Sequence, residues 1–379
     1  MVSGKGSNES QVVVIGGGPA GIAAALAVRQ RGLEVMVVDS CVPPIDKPCG
    51  EGLMPDGVTA LEKLGVRVPQ IEAQPFRGIR FVSGGLSAEA VFPYGLALGV
   101  RRTNLHRVMV EHAERAGVQF RWQTVVTGLN RNGVLVRGGL LGARWIVGAD
   151  GSSSQVRRWA NLDSRRRRSE RFAFRRHYNV PGGDFMELHW GRRGQLYVTP
   201  VGAEQVCVAL ISRDPSLRLD EALEEFPDVA RKLRGAEHGS AERGAVSVTR
   251  KLVGVTNGQV ALIGDASGGV DAITGEGLCL AFKQAELLAD SIAAGDLRAY
   301  RSGHRVLARR PALMADLMLL LEQRHGLRDR VMRAFQREPK LFARMLGTHV
   351  DAVPMRDLAG NGLALGWKLL RCKSQFTSN

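Results

Sequence analysis

The stretch QVVVIGGGPAG, residues 11–21, decides the fold of this chain. Its opening apolar run is typical of a buried β-strand, and the glycines that follow satisfy the pattern G-x-G-x-x-G. The composition of residues 19–31 predicts a helix, and a second apolar run, residues 33–38, ends at Asp39. This order predicts a β-α-β unit of an α/β protein that binds a dinucleotide.

Each glycine of this fingerprint has a physical task. Gly16 permits the tight turn, Gly18 lets the backbone approach a pyrophosphate, and Gly21 allows close packing of the helix. The start of the helix turns free N–H groups toward the phosphates, and Asp39 accepts hydrogen bonds from ribose hydroxyls. The motif alone does not separate FAD from NAD. Its predicted contacts are Gly16, Gly18, Pro19, Ala20, Gly21, Asp39 and Ser40.

Two later strands are also predicted to end in an aspartate. The apolar strand 144–149 runs into Asp150-Gly151, where Ser152 and Gln155 have the spacing of a helix capping box. Much later, residues 259–263 lead to Gly264-Asp265, and Thr274-Gly275-Glu276-Gly277 opens a long helix over residues 277–294. Other helices are predicted over residues 58–64, over 103–116 with Thr103 as the cap, and near 220–233.

These three elements, in this order, resemble the flavoprotein superfamily of single-component aromatic-ring monooxygenases and geranylgeranyl reductases. The resemblance implies bound FAD, with Asp265 at its ribityl or pyrophosphate part and Arg102 at the pyrophosphate. It also implies that N–H groups near residues 275–278 face the flavin pyrimidine ring. The cofactor contacts added by the resemblance are Cys49, Gly50, Arg102, Val126, Asp150, Gly151, Gly264, Asp265, Gly275, Glu276, Gly277 and Leu278.

Some motifs of this sequence resemble the monooxygenases of the superfamily, and others resemble the reductases. Ser267 and Glu276 stand where hydroxylases commonly carry His and Gln, and the loop 47–50 is similar to the cysteine-bearing loop of the reductases. Ala272, however, replaces the reductases' usual proline, and residues 197–202 resemble a hydroxylase substrate strand.

The resemblance favours a monooxygenase of an aromatic or lipophilic small molecule, working through a flavin C4a-hydroperoxide with NAD(P)H as a transient electron donor. Alkene reduction on a prenyl substrate is the alternative. A flavin-binding sensor or subunit without turnover is an alternative of another class.

Four side chains are candidates for proton transfer or substrate polarisation. Cys49 lies in the loop that is similar to the reductases, while His177, His189 and Tyr197 fall in predicted strands. Ordinary packing or hydrogen bonding in the core is the alternative for each of them.

Composition limits the remaining function classes. The 379 residues, 44% of them hydrophobic, predict a globular protein, and no apolar run reaches the roughly 20 residues that cross a bilayer. Five scattered cysteines predict free thiols and no metal site. The net charge of +15 attracts anions, but the arginine run 165–168 has no interleaved aromatic residues, so no nucleic-acid partner is expected. The predicted partner is a small-molecule substrate.

The predicted architecture is α/β, with a discontinuous FAD-binding, Rossmann-type (glutathione-reductase-like) domain and a mostly antiparallel β-sheet substrate domain. The first comprises residues 11–75, 95–168 and 256–310, and the second 76–94 and 169–255. Residues 1–10 are expected to form a flexible arm and residues 311–379 a helical region. The amphipathic stretch 363–373 is expected to pack on the first domain, with contact to an anionic membrane surface as the alternative. A cytoplasmic location is expected, peripheral to the membrane only under that alternative.

Overall fold

The computed structural model describes residues 9–163 and 167–352. Its strands are β1 Glu9–Ile15, β2 Val35–Val38, β3 Gly52–Leu53, β4 Ala73–Phe76, β5 Gly78–Ser83, β6 Leu86–Val91, β7 Ala97–Val100, β8 Gln119–Arg121, β9 Val126–Asn130, β10 Gly133–Val136, β11 Gly139–Gly148, β12 Arg167–Tyr178, β13 Phe185–Trp190, β14 Gly194–Gly202, β15 Gln205–Ser212, β16 Arg243–Arg250, β17 Thr256–Asn257 and β18 Val260–Leu262. Its helices are α1 Pro19–Gln30, α2 Pro55–Lys63, α3 Arg102–Arg115, α4 Gln155–Trp159, α5 Leu219–Ala222, α6 Pro227–Lys232, α7 Gly277–Ala293, α8 Arg298–Gln323, α9 His325–Arg337 and α10 Pro339–His349. The first eight residues of the predicted arm and the stretch 363–373 lie outside the described residues, as do Arg165 and Arg166 of the arginine run 165–168.

A parallel sheet lies at the centre of the predicted dinucleotide-binding part. Its strand order is β17-β18-β11-β1-β2-β8, and β18, β11, β1, β2 and β8 run parallel to one another, whereas β17 is antiparallel to β18. Helices α1 and α7 pack against each other beside this sheet, and their Ala, Leu and Ile side chains fill a buried core. Hydrophobic cores cover both faces of this sheet, and its strands therefore carry apolar side chains on both faces. Their carboxyl ends therefore form one edge, where ligands of such sheets bind.

The second sheet is mostly antiparallel. Its order is β16-β12-β15-β14-β13-β5-β6, and β13 with β5 is its parallel pair. A small three-stranded sheet, β3-β7-β4, comes between residues 52 and 100. Helices α9 and α10 cover β6 with an apolar cluster that includes Phe335 and Phe342. The predicted fold class, with its mixed sheets and helical C-terminal part, is confirmed.

A buried ion network ties helix α8 to the second sheet. The Arg171 guanidinium, 1% exposed, bonds the Glu322 carboxylate at 2.7 Å through Nη2, and its Nε lies 3.3 Å from Asp271 Oδ1. Asp271 begins the turn before α7, so the network holds this turn against the sheet. No helix among residues 9–163 and 167–352 is long and apolar enough to cross a bilayer.

Three local predictions were wrong. Helix α3 begins one residue early, so Arg101 and not Thr103 is its N-cap. The cap of α4 is Ser154, whose Oγ accepts from Arg157 N at 2.9 Å, because Ser152 instead presents its carbonyl to the Arg157 side chain. The helix expected over residues 220–233 is broken into α5, a 3-10 turn and α6, since Pro227 has no N–H to continue a helix.

Candidate functional site

A cavity of about 570 Å³ lies between the carboxyl edge of the parallel sheet and one face of the second sheet. Its wall includes Asp39 after β2, Asp150 after β11 and Asp265 after β18. Three carboxylates that are far apart in sequence therefore meet one continuous space. Most of the cofactor contacts predicted from the sequence line it: Gly16, Gly18, Pro19, Ala20, Asp39, Ser40, Cys49, Gly50, Arg102, Val126, Asp150, Gly151, Gly264, Asp265, Gly275, Gly277 and Leu278.

The fingerprint glycines are required by close backbone contacts. A Cβ on Gly16, where φ is +110°, would lie 2.5 Å from the carbonyl oxygen of Ala149, and one on Gly21 would lie 1.9 Å from the Gly16 oxygen. Gly21 thus packs the helix behind the turn and does not line the cavity. A Cβ on Gly18, in contrast, would meet no atom within 4 Å. Gly18 faces the open space where a pyrophosphate would approach the start of α1.

Asp39 holds the turn as well as facing the cavity. Its Oδ2 accepts from Gly17 N at 2.7 Å, and Oδ1 accepts from Cys41 N at 2.8 Å. The same turn is held by the buried His106, whose Nε2 lies 2.7 Å from the Gly17 carbonyl oxygen. Desolvation lowers the pKa of His106, so the neutral imidazole donates to this carbonyl at neutral pH. No sequence motif indicated His106.

Asp150 and the buried Arg157 build the second turn. Asp150 Oδ2 accepts from Gln155 N at 2.7 Å and from Val156 N at 3.1 Å. Arg157, fully buried, binds Asp163 at 2.9 Å and reaches the Ala266 carbonyl oxygen at 3.1 Å. One guanidinium therefore joins the Asp150 turn to the turn after β18, and Arg157 was not predicted from the sequence.

Cationic side chains stand beside the third aspartate. Lys47 Nζ lies 2.9 Å from Asp265 Oδ2, which closes the loop 40–57 over this edge of the cavity. Arg102 also lines the cavity, and its Nε is buried with no hydrogen-bond partner among the described residues. A buried unpaired guanidinium N–H is costly, and an anionic diphosphate would satisfy it.

The amino end of α7 faces the cavity through Gly275, Gly277 and Leu278. Glu276 does not line the cavity and is 4% exposed, and burial raises the pKa of its carboxyl. The positive end of the helix dipole at Gly277 faces the cavity, where it would stabilise an electron-rich ring. Together with the glycine turn and Arg102, this end fits an extended flavin dinucleotide.

The far end of the cavity is apolar. It is formed by the second sheet together with Met54, and its side chains are mostly small or flexible: Met54, Ala173, Met186, Ala209, Ile211, Ala245 and Val246. Cys49 reaches this region from the loop, and its Sγ accepts from Glu51 N at 3.4 Å. A hydrophobic ligand and a thiol can therefore meet beside the end that suits a flavin ring.

The predicted catalytic residues are not all brought together. Tyr197 lines the cavity, but its hydroxyl donates to the Ile273 carbonyl oxygen at 2.5 Å, and burial raises its pKa. His189 does not line the cavity; its Nε2 bonds Glu187 Oε2 at 2.9 Å. Cys49 is thus the one of these three predicted residues that presents an unoccupied donor to the cavity.

A cluster with metal-ligand character lies behind Cys49. The ligand atoms of Glu51, His177 and Cys207, all buried, are within 4.8 Å of one another. The Arg175 Nε lies 3.8 Å from Glu51 Oε1, and burial raises the pKa of the Cys207 thiol. A nearby guanidinium and a protonated thiol both oppose a cation, so the cluster suits hydrogen bonding better than metal binding.

Comparison with known proteins agrees with this geometry. Residues 9–177 match the family described as the FAD binding domain. The chain is 28% identical over 320 residues to a menaquinone reductase of Mycobacterium tuberculosis, covering 76% of this chain and 78% of that protein. It is 27% identical over 323 residues to digeranylgeranylglycerophospholipid reductase 1 of Methanothermobacter thermautotrophicus, covering 78% and 81%.

Solved structures agree on the fold. A flavoprotein/dehydrogenase from Cytophaga hutchinsonii superposes with a TM-score of 0.79 at 20% identity, covering 90% of this chain and 92% of that one. The shared fold shows only the architecture, whereas the family match and the two relatives also relate this chain to FAD binding and to reductases. Over most of its length the chain is therefore similar to reductases, and its residues 9–177 match the FAD binding domain of FAD-dependent oxidoreductases.

Proposed function

We propose that this protein is a flavin-dependent ene-reductase that adds hydrogen across carbon–carbon double bonds of an isoprenoid lipid. The apolar far end of the cavity, with the Cys49 thiol at its edge, carries the proposal. Its Met and Ala side chains accept a flexible hydrocarbon chain. Among the described residues, the strands of the second sheet contribute one cation to the lining, Arg175, and it is already bound to Asp46 at 2.6 Å rather than free for a phenolate. The relatives named reductases act on lipids whose names denote isoprenoid chains.

FAD held at this site would supply the redox chemistry, with two electrons coming from NAD(P)H or another protein and going to the substrate. The chain's own residues perform the remaining tasks. Arg102 and the amino ends of α1 and α7 hold the cofactor, and the face of the second sheet excludes water and aligns the alkene. Cys49 lies on the wall, where its thiol can give the alkene a proton.

The decisive experiment uses the purified holoenzyme, reduced with dithionite without oxygen. Digeranylgeranylglycerophospholipid in detergent micelles should restore the visible absorbance of oxidised flavin, and mass spectrometry should show addition of H₂ to the lipid. A reduced enzyme that this lipid never reoxidises, while oxygen with a phenolic compound gives a hydroxylated product, would refute the proposal. That result would support monooxygenation instead.

Replacement of Cys49 by alanine should slow lipid reduction at least about tenfold, since a positioned proton donor contributes this much or more. Reduction of the flavin by dithionite and the amount of bound FAD should not change. Cys41 offers a matched control, because it is exposed and does not line the cavity. Equal single-turnover rates for the C49A and C41A variants would remove Cys49 from the mechanism.

Monooxygenation is the second candidate, favoured by one observation. Tyr197 and the strand β14 that carries it form part of the cavity wall, as the likeness of residues 197–202 to hydroxylase substrate strands predicts. In this reading the apolar wall would hold an aromatic ring. The oxygen arm of the experiment above separates the two reactions.

A further inference from the structure

Residues 49–51 of the loop over the cavity are joined to three neighbouring strands of the second sheet. The carbonyl oxygens of the first two residues accept from Cys207 Sγ at 3.6 Å and from Thr199 Oγ1 at 2.7 Å. The third residue, Glu51, lies 2.6 Å through Oε2 from His177 Nε2. These partners belong to β15, β14 and β12, so three consecutive loop residues are each held by a different strand.

Glu51 also connects this loop to the start of helix α3. Its Oε1 accepts a hydrogen bond at 2.9 Å from the backbone N–H of Arg102, the first residue of that helix. Its carbonyl oxygen accepts from Val100 N, also at 2.9 Å. The side chain is 1% exposed. One buried carboxylate therefore binds a strand of the second sheet with one oxygen and the first turn of α3 with the other.

The groups that face the Glu51 carboxylate are donors or cations. A carboxylate oxygen only accepts, so His177 Nε2 carries the proton of the hydrogen bond that joins the two side chains. The Arg175 guanidinium, which is bound to Asp46, lies 3.8 Å from Oε1 through its Nε. This position therefore requires a side chain with two acceptor oxygens, and an amide offers only one.

The backbone of Glu51 is held in a left-handed conformation. Its φ of +58° is uncommon for a residue with a side chain. Such strain persists only where the surrounding structure over-determines it, and positions of this kind cluster at functional sites. The two hydrogen bonds of the buried carboxylate supply that constraint, and they fix the loop at the point where it meets α3.

The side chain of Arg102 is the group that this arrangement places. Arg102 lines the cavity, and its Nε is buried with no hydrogen-bond partner among the described residues. Glu51 binds the backbone N–H of this residue, so it fixes where the side chain begins and leaves Nε free for an anion. The distance from the sheet to the guanidinium is therefore set through one carboxylate.

We infer that Glu51 is a positioning residue for FAD, which holds the start of α3 against the second sheet so that Arg102 meets the diphosphate. Its negative charge lies on the wall of a cavity that suits an anionic cofactor, so the charge alone opposes binding. Loss of the carboxylate should therefore weaken FAD binding if Glu51 positions Arg102, and strengthen it if only charge matters. The inference goes beyond the proposed reaction, because it concerns the binding of FAD that precedes either chemistry.

The test is a double-mutant cycle on the affinity for FAD, measured by titration of the full-length apoprotein. The E51Q variant keeps the size of the side chain, but its amide cannot accept from both the Arg102 N–H and His177. We expect the Kd for FAD to rise about tenfold in E51Q. In the R102M background, which lacks the guanidinium to be positioned, the same change should alter the Kd by less than about twofold.

Two variants of His177 separate positioning from general damage. The amide of H177Q can still donate to Glu51, whereas the side chain of H177L cannot. H177Q should bind FAD within about threefold of wild type, and H177L about tenfold more weakly. Glu187 provides the matched control, because it is paired with His189 at 2.9 Å and does not line the cavity. E187Q should keep the wild-type affinity for FAD.

Equal effects of E51Q with Arg102 and with methionine at position 102 would overturn the inference, since damage that does not act through this arginine adds independently. Unchanged or tighter FAD binding in E51Q would overturn it as well. If circular dichroism shows that E51Q is unfolded, E51G replaces it in the same cycle, because glycine adopts positive φ without strain and lacks the carboxylate. These titrations use neither lipid nor oxygen, so failure of the proposed reaction does not change their outcome.

Discussion

Replacing Gly18 by valine should give a folded protein that no longer retains FAD. A Cβ at Gly18 meets no atom of the protein within 4 Å, so the chain itself has room for the side chain. The added methyl groups project from the start of α1 into the cavity, where the pyrophosphate must approach the backbone N–H groups. We expect the Kd for FAD to rise at least about 100-fold, or about 2.8 kcal/mol.

The measurement is FAD titration of the apoprotein, with circular dichroism to establish folding. Gly326 offers a matched control, because a Cβ there also meets no atom within 4 Å and the residue lies in α9, away from this cavity. G326V should bind FAD as wild type does. G21V should fail in a different way and misfold, since its Cβ would lie 1.9 Å from a backbone oxygen. Undiminished FAD affinity in G18V would mean that the pyrophosphate lies elsewhere.

Replacing Arg157 by methionine should lower the free energy of unfolding substantially. The guanidinium is fully buried and holds Asp163, the Ser152 carbonyl oxygen and the Ala266 carbonyl oxygen at 2.9 to 3.1 Å. Methionine fills much of the volume but leaves these acceptors without their donor. Breaking a buried ion pair by removing one partner costs about 3–5 kcal/mol, and we expect the lower end because Asp163 is partly exposed.

Urea unfolding, without added FAD and again at saturating FAD, measures this loss. Arg158 follows in the same helix and is exposed, so R158M should change the free energy of unfolding by no more than about 0.5 kcal/mol. R157M should also weaken FAD binding, because the Asp150 turn and the turn after β18 lose their connection. Equal stability of R157M and R158M would show that the buried guanidinium contributes no net stability.

The motifs of the parallel sheet could be read from the sequence because each is local. A strand, a glycine turn and a helix start occupy consecutive residues, so Gly16, Gly18 and Asp39 reveal their geometry by spacing alone. The strands before Asp150 and Asp265 are apolar runs that end in an acidic residue. Parallel strands share one carboxyl edge, and the convergence of these motifs at one cavity follows from that topology.

The errors and omissions arise from contacts between distant residues. Glu51 and His177 are 126 positions apart, and only the packing of the loop onto β12 brings them within 2.6 Å. The predicted candidates His189 and Tyr197 both lie in strands, yet the strand register turns Tyr197 toward the cavity and His189 toward Glu187. Alternation along a strand identifies two faces but does not say which one meets a ligand.

The amino-acid sequence by itself determined that this protein binds a dinucleotide on an α/β fold, and with the family resemblance it pointed to FAD. Those properties depend on backbone turns and helix starts, which short runs of residues specify. The tertiary structure alone decided which side chains line the apolar end of the cavity and which residues of the loop 40–57 are hydrogen-bonded to the second sheet. Such contacts depend on how the second sheet and the loop 40–57 pack together, and the physics of that packing involves residues that no local pattern connects.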